Sequence, residues 1–287
     1  MTVFLLHGIV DDYVHGASAY RNYIARDAFE AYLRRRSAAF GGWNGDGPRA
    51  DVLTVDDSTR AAADACMMAR RLGHDVILFV NPFQIASGQP YFFSVLDALI
   101  DARTADSIAY RGHRYDLGDA SAVRQFRLAV RAALMVESAP QAYAAAMELA
   151  APLGATGAPT RAHETPISLA ELTALRDAGV RIENHGWSHV EISSLTDAQF
   201  AEHVAAGREW LRQALSVDAN LYAVPFGASD VPARLHHCVA DGYFLTSSRF
   251  PRGRVGSLGW NRRDLAIEMR AIARLDAYVS ARSSSRS

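Results

Sequence analysis

Short apolar runs alternate with amphipathic stretches along this chain. The runs at residues 2–7 (TVFLLH), 50–56 (ADVLTVD), 75–81 (DVILFVN), 180–185 (VRIENH), 221–226 (LYAVPF) and 243–247 (YFLTS) are rich in β-branched and aromatic residues and are bounded by turn residues. That pattern predicts buried strands. Between them lie helical patterns. Residues 58–72 follow DDST and stop at Gly73, an N-cap signature at one end and a C′ glycine at the other. SLAE at 168–171 and TDAQ at 196–199 are capping boxes, and the helices they start are expected to end near Gly179 and residue 215. Repeated β-α units with near-continuous apolar strands imply a parallel sheet buried on both faces, either open or closed into a barrel.

Residues 91–155 break this rhythm. They hold two or three helical patterns and no convincing strand, and the Ala-rich stretch from Ser121 to Gly154 is helical throughout apart from Pro140. A helical insertion is expected over about 91–160, either capping one end of the sheet or thickening the helical layer.

In parallel α/β folds the chemistry gathers where strand C-termini meet loops. Four polar clusters fall at that end: His7, the DDS of 56–58, the NHGWSH of 184–189 and the PFG of 225–227. An apolar strand ending in His-Gly also occurs in serine α/β-hydrolases, but no G-x-S-x-G elbow follows it. Adjacent Asp56 and Asp57 at a strand end have two readings. Asp57 or Ser58 caps the next helix, or the two carboxylates share a cation or a proton, since like charges so close repel. His185 and His189 stand four apart across a Gly-Trp-Ser loop. Alone they are as readily exposed loop residues as ligands. Two imidazoles and one carboxylate together form a three-ligand set that leaves positions open for water and substrate, as hydrolytic zinc sites require.

The order strand-DD, strand-HxxxH, strand-PFG resembles the polysaccharide deacetylases, carbohydrate esterase family 4. LTVDDS resembles that family's TFDDG motif, NHGWSH its H-[ST]-x-x-H motif and YAVPFG its third motif. The flanks ARRLGHDVILFVNPFQI, LAELTALRDAGVRIENHGWSH and VADGYFLTSS are similar too, so the likeness spans roughly residues 2–250. The resemblance implies a distorted (β/α) barrel of parallel strands and a divalent metal, usually zinc. Carried over by position, Asp57, His185 and His189 are the metal ligands and Asp56 the catalytic base. The turn at Phe226 and Gly227 supplies a backbone N–H to the oxyanion. The family's last motif, L-x-H, carries the general acid. It is absent after residue 250, but LLH at 5–7 has its form, as in the permuted poly-N-acetylglucosamine deacetylase branch, which makes His7 the acid. Asp11 and Asp12, the carboxylates nearest in sequence, are the candidates to orient its ring.

Two departures from the family pattern stand out. Ser58 replaces the glycine after the paired aspartates. Tyr222 and Ala223 stand where an arginine commonly orients the base, and Arg262 or Arg263 is the candidate substitute. Trp187 and Trp260 are candidates for stacking on a sugar ring.

Composition adds boundaries. The 287 residues suffice for one large domain, expected over 1–280 with a disordered polar tail at 281–287. A net charge of −1 gives no reason to expect nucleic acid or an anionic membrane as partner. No apolar stretch is long enough to span a bilayer and no leader pattern is evident, which points to the cytoplasm. Cys66 and Cys238 are far apart, lack metal spacing and read as free thiols. The expected activity is metal-dependent removal of an N-acetyl group from a sugar or a small sugar-containing molecule. A deformylase or other acyl-amide hydrolase, and a non-catalytic carbohydrate-binding relative, are the alternatives. Oligomeric state is not legible.

Overall fold

A computed structural model describes residues 1–12, 22–44, 47–157, 160–227, 230–246 and 250–270. The expected tail at 281–287 and the end of the YFLTS run at Ser247 lie outside these residues. The principal strands are β1 (Val3–Leu6), β2 (Val52–Asp56), β3 (Ile77–Val80), β4 (Arg181–Asn184), β5 (Leu221–Ala223), β6 (Gly242–Leu245), β7 (Gly259–Asn261) and β8 (Arg263–Asp264). Their order across the sheet is β7-β6-β5-β4-β3-β2-β1-β8, all neighbours parallel, with Gly253–Val255 antiparallel outside β7. Only Arg262 separates β7 from β8, so one extended segment lies at both ends of the sheet and closes it into a parallel barrel. The expected (β/α) barrel is what the sheet forms.

Side-chain alternation explains why the strands read as continuous apolar runs. Phe4, Leu6, Leu53, Val55, Leu78, Val80 and Ile182 point outward into one core with residues of the surrounding helices. Those helices include α1 (Arg26–Arg35), α2 (Arg60–Arg71), α8 (Leu169–Asp177) and α9 (Asp197–Leu215). Val3, Val52, Ile77, Phe79, Leu221, Ala223 and Phe244 point inward and plug the barrel with Trp43. Both expected capping boxes form, at Ser168 and at Thr196. The cap of α2 is Thr59, whose hydroxyl accepts the Ala62 N–H. Neither Asp57 nor Ser58 is therefore used as the cap.

The segment after α3 (Pro82–Ser87) contains α4 (Phe92–Asp101), α5 (Ala120–Leu134), α6 (Ala139–Met147) and α7 (Ala150–Leu153). It buries its own apolar cluster, from Phe92 to Leu153, and Phe226 of the barrel packs against that cluster. One expectation fails here: Ser107–Tyr110 and His113–Asp116 form an antiparallel hairpin. Its turn residues Arg111 and Gly112 have φ of 49° and 77°, the positive pair that a tight two-residue hairpin requires. Tyr110 and Tyr115 pack on Phe126 of α5, at 5.9 and 5.4 Å between ring centroids.

Candidate active site

A cavity of about 200 Å³ opens at the C-terminal end of the barrel strands. His7, Asp56, Asp57, His185, His189 and Arg262 all line it. The fold therefore brings to one place residues that are up to 255 positions apart, from His7 to Arg262.

Asp56 ends β2 on the inward phase shared with Val52 and Thr54. Arg262 grips it from the closing segment. The guanidinium donates to Asp56 Oδ1 at 2.7 Å and to Oδ2 at 2.6 Å, and to Thr54 Oγ1 at 3.1 Å. Both partners are nearly inaccessible, 1% and 4% exposed at the side chain. The guanidinium rests over the barrel plug, 5.9 Å from the Phe79 ring centroid and 6.0 Å from that of Phe244. Burial alone pushes the Asp56 carboxyl up, but Arg262, helped by His185, holds it below the usual carboxylate range. Of the two candidates for the place of the motif arginine, Arg262 is the one that contacts Asp56. Arg263 points the other way, to Glu268 at the surface.

Asp57 follows at φ 75°, a left-handed conformation that costs a non-glycine residue about 1–3 kcal/mol. The turn is held by a buried network. Ser58 N–H donates to the Tyr91 hydroxyl at 2.9 Å, and that hydroxyl donates to Asn81 Oδ1 at 3.0 Å. Asn81 N–H donates to Ser58 Oγ, and its side-chain amide donates to the His185 carbonyl at 2.7 Å. The serine hydroxyl in place of glycine thus adds a tie between the ends of β2 and β3, and the Asn81 side chain carries it on to β4.

Asp57, His185 and His189 offer ligand atoms all within 4.8 Å of one another. The Nε2 atoms of His185 and His189 lie 3.7 and 3.5 Å from Asp57 Oδ1. His185 Nδ1 meets the Ala223 carbonyl at 2.8 Å, which makes Nδ1 the protonated nitrogen and leaves Nε2 as a lone-pair donor. Asp57 Oδ1 is buried without a hydrogen-bond partner. An unpartnered buried carboxylate oxygen is costly unless it meets a cation. Burial pushes the Asp57 carboxyl up despite His7 and His185, and pushes the His189 imidazole well down. The donor set, its convergence and the orphaned oxygen fit a divalent cation. They do not distinguish zinc from other divalent ions.

The remaining candidates separate. His7 is half-buried in the cavity wall. Asp11 is paired with Arg26 at the surface, not aimed at His7, and Asp12 is exposed. Phe226 has φ 60° and lies 4.4 Å from His189 between ring centroids. The Gly227 N–H is committed to the Val224 carbonyl at 3.0 Å, which removes it as an oxyanion donor. Trp187 packs on Phe83 at 6.3 Å, and Trp260 on Trp43 at 5.3 Å inside the barrel plug. Neither lines the cavity. Tyr222 is turned into an outer apolar cluster. The insertion contributes Phe93 and Arg131 to the wall, and neither is signalled by any motif.

The closed parallel α/β barrel thus brings one carboxylate and two imidazoles, a set that could hold a metal ion, beside a second, arginine-bound carboxylate. The polysaccharide deacetylase family model matches residues 153–237, which hold the His-x3-His loop and the Pro-Phe-Gly turn, and the resemblance seen in the motifs is borne out. No curated protein matches the sequence. Among solved structures, the chain is similar to the Streptococcus pyogenes deacetylase PplD in complex with acetate. The TM-score is 0.55 at 11% identity, over 92% of this chain and 91% of that one. It is similar also to a de-N-acetylase from Aggregatibacter actinomycetemcomitans, with TM-score 0.52 at 9% identity over 91% and 93% of the two chains. A polysaccharide deacetylase from Bacillus cereus gives TM-score 0.51 at 14% identity over 91% of this chain, which spans 63% of that one. At these identities the likeness is one of fold.

Proposed function

We propose that this chain is a metal-dependent hydrolase that removes the acetyl group from an N-acetylated sugar or sugar-containing small molecule. The observation that carries this is the buried, unpartnered Asp57 Oδ1 facing two imidazole nitrogens, in a cavity that also holds His7 and the Asp56–Arg262 pair. A divalent cation held by Asp57, His185 and His189, zinc by family habit, would supply Lewis acidity and an acidified water.

Each protein group then has a definable task. Arg262 keeps Asp56 ionised and fixed in the plane of its fork. Each Asp56 oxygen has one lone pair on Arg262 and retains another, so the carboxylate takes the proton of the attacking water. Phe226 N–H is the donor left in the third-motif turn for the developing oxyanion, a contribution worth about 3–4 kcal/mol when well aimed. His7 protonates the departing nitrogen, without which the leaving group would be an amide anion. The cavity lies below the roughly 300 Å³ at which pockets for drug-sized ligands begin. It suits a small molecule or the last unit of a longer one.

The test is acetate release from a panel of N-acetyl sugars, with metal analysis of the same preparation. Release should require the metal and fall by about 10²–10⁴ in Asp56→Asn and in His7→Ala. Bound metal with no acetate from any acetamido sugar would overturn the proposal.

A further inference from the structure

Tyr91 stands at the N-terminal cap of α4, so it belongs to the insertion and not to the barrel. Its side chain nevertheless ends between two turns that carry candidate metal ligands. The hydroxyl of this buried residue accepts the Ser58 N–H at 2.9 Å and donates to Asn81 Oδ1 at 3.0 Å. Ser58 directly follows Asp57. Asn81 in turn donates through its side-chain amide to the carbonyls of His185, at 2.7 Å, and Gly186, at 3.3 Å. The ring reaches the third candidate ligand. It stacks on Phe93 at 4.9 Å, and these two rings meet the His189 imidazole edge-on at 5.7 and 5.1 Å. One residue thus acts, directly or through one neighbour, on the surroundings of all three.

Each hydrogen bond of the hydroxyl selects a conformation. Asp57 is held left-handed at φ 75°. Such a state persists only where its surroundings over-determine it, and fixing the next amide does so. The Asn81 side chain presents a donor and an acceptor, and only the donor suits the His185 carbonyl. The hydroxyl proton on Oδ1 selects that orientation. Turned over, the amide would set oxygen against oxygen. Ser58 and Asn81 are both fully buried, so bulk water does not take the place of a lost hydroxyl.

Resting on the metal-dependent reading, we infer that Tyr91 is a positioning residue for the metal site: its hydroxyl fixes the turns of Asp57 and His185 and thereby sets the affinity for the ion. The insertion is then part of the metal centre, beyond its share of the cavity wall.

The experiment uses the full-length, metal-free protein with cobalt(II) as the probe. Visible absorption reports the ligand geometry, and competition with a chelator gives Kd. Wild type should bind cobalt and His189→Ala should not. In Tyr91→Phe, which keeps the ring, Kd should rise by about 10- to 100-fold, the usual loss when a group that orients metal ligands is removed. The cobalt spectrum should change with it, while circular dichroism of the metal-free protein matches wild type. A purely structural role predicts something else: metal-free and metal-loaded forms lose the same stability, so Kd and spectrum stay as in wild type. That outcome overturns the inference and leaves the metal-dependent reading intact. Should Tyr91→Phe fail to fold, Ser58→Ala decides. It keeps Tyr91 and frees Asn81 N–H from its 2.9 Å bond to Ser58 Oγ. A Kd raised by about 10-fold there supports control of the site through Asn81, and an unchanged Kd overturns it. Cobalt binding that is absent in wild type, or that survives His189→Ala, removes both the metal site and the inference. Tyr91-dependent binding with no acetate from any acetamido sugar leaves the inference standing and removes the deacetylase reading.

Discussion

Arg262→Met separates the pairing of Asp56 from the rest of the site. The substitution keeps most of the buried volume and deletes the fork. Two charge-assisted hydrogen bonds disappear, at 2.6 and 2.7 Å, between side chains 1% and 4% exposed. At about 1.5–3 kcal/mol each they sum to roughly 3–6 kcal/mol. That agrees with the 3–5 kcal/mol typical of breaking a buried ion pair from one side. Urea unfolding of the metal-free proteins, followed by circular dichroism, measures it. The double variant Asp56→Asn/Arg262→Met leaves no uncompensated charge and should lose less than the two single variants added together, with a coupling of at least about 2 kcal/mol. Activity should fall in Arg262→Met by about 10²–10⁴, because a buried Asp56 without its counter-charge takes up a proton and stops acting as a base. A single variant within 1 kcal/mol of wild type, or strictly additive losses, would refute the view that Arg262 holds the base ionised.

Other expectations follow from equally specific contacts. Glu164 is buried, and burial followed by Asp97 pushes its carboxyl from the ordinary 4.5 up to about 8. A raised folded value means its favourable contribution is complete below pH 4.5 and fades as pH rises to 8; the 3.5-unit gap corresponds to about 5 kcal/mol. Glu164→Gln should therefore gain stability over wild type in urea melts at pH 9 relative to pH 5, and equal pH dependence in both proteins would contradict this. Gly186 has φ +82°, and a Cβ there would sit 2.0 Å from His203 Nε2. Gly186→Ala should cost at least about 2 kcal/mol from backbone strain and collision together. Adding His203→Ala should restore only the collision part, and a Gly186→Ala protein as stable as wild type would show that the loop can relax. Zinc at about a thousand times its Kd should stabilise the protein by about 4 kcal/mol over the chelator-treated form. That gain, read as a melting-temperature rise, should vanish in His189→Ala; a rise that survives would place the ion elsewhere.

Much of this was legible because a strand's two-residue period places every inward residue at a countable depth. The apolar runs located the strands, and the polar residues at their ends located the cavity. The same arithmetic explains two misplacements. Trp260, Arg262 and Asp264 share one phase of one extended segment, so an inward Arg262 beside Asp56 puts Trp260 two residues, about 6–7 Å, deeper in the plug. Both cannot reach the substrate. Phase also decides between Arg262 and Arg263, once Trp260 is known to point inward. The hairpin at 107–116 was hidden because Arg111-Gly112 is a less common pair for its turn than Asn-Gly or Asp-Gly. Its tyrosines could have marked it. Arg131 and Phe93 carried no sequence signal at all. Their place in the wall depends on how the insertion docks onto Phe226, which is a tertiary event that no local pattern encodes.

The segment that shuts the barrel is also the last part of it to leave the ribosome. Until residues 259–264 emerge, β1 and β6 each lack a neighbour and Asp56 has no counter-ion, since Arg262 lies 206 positions downstream. Pairings of such long range make folding slow. A nascent chain of this protein would thus carry most of the described helices while the Asp56–Arg262 pair and the cavity around it are still unassembled, and the site could form only in a single late step.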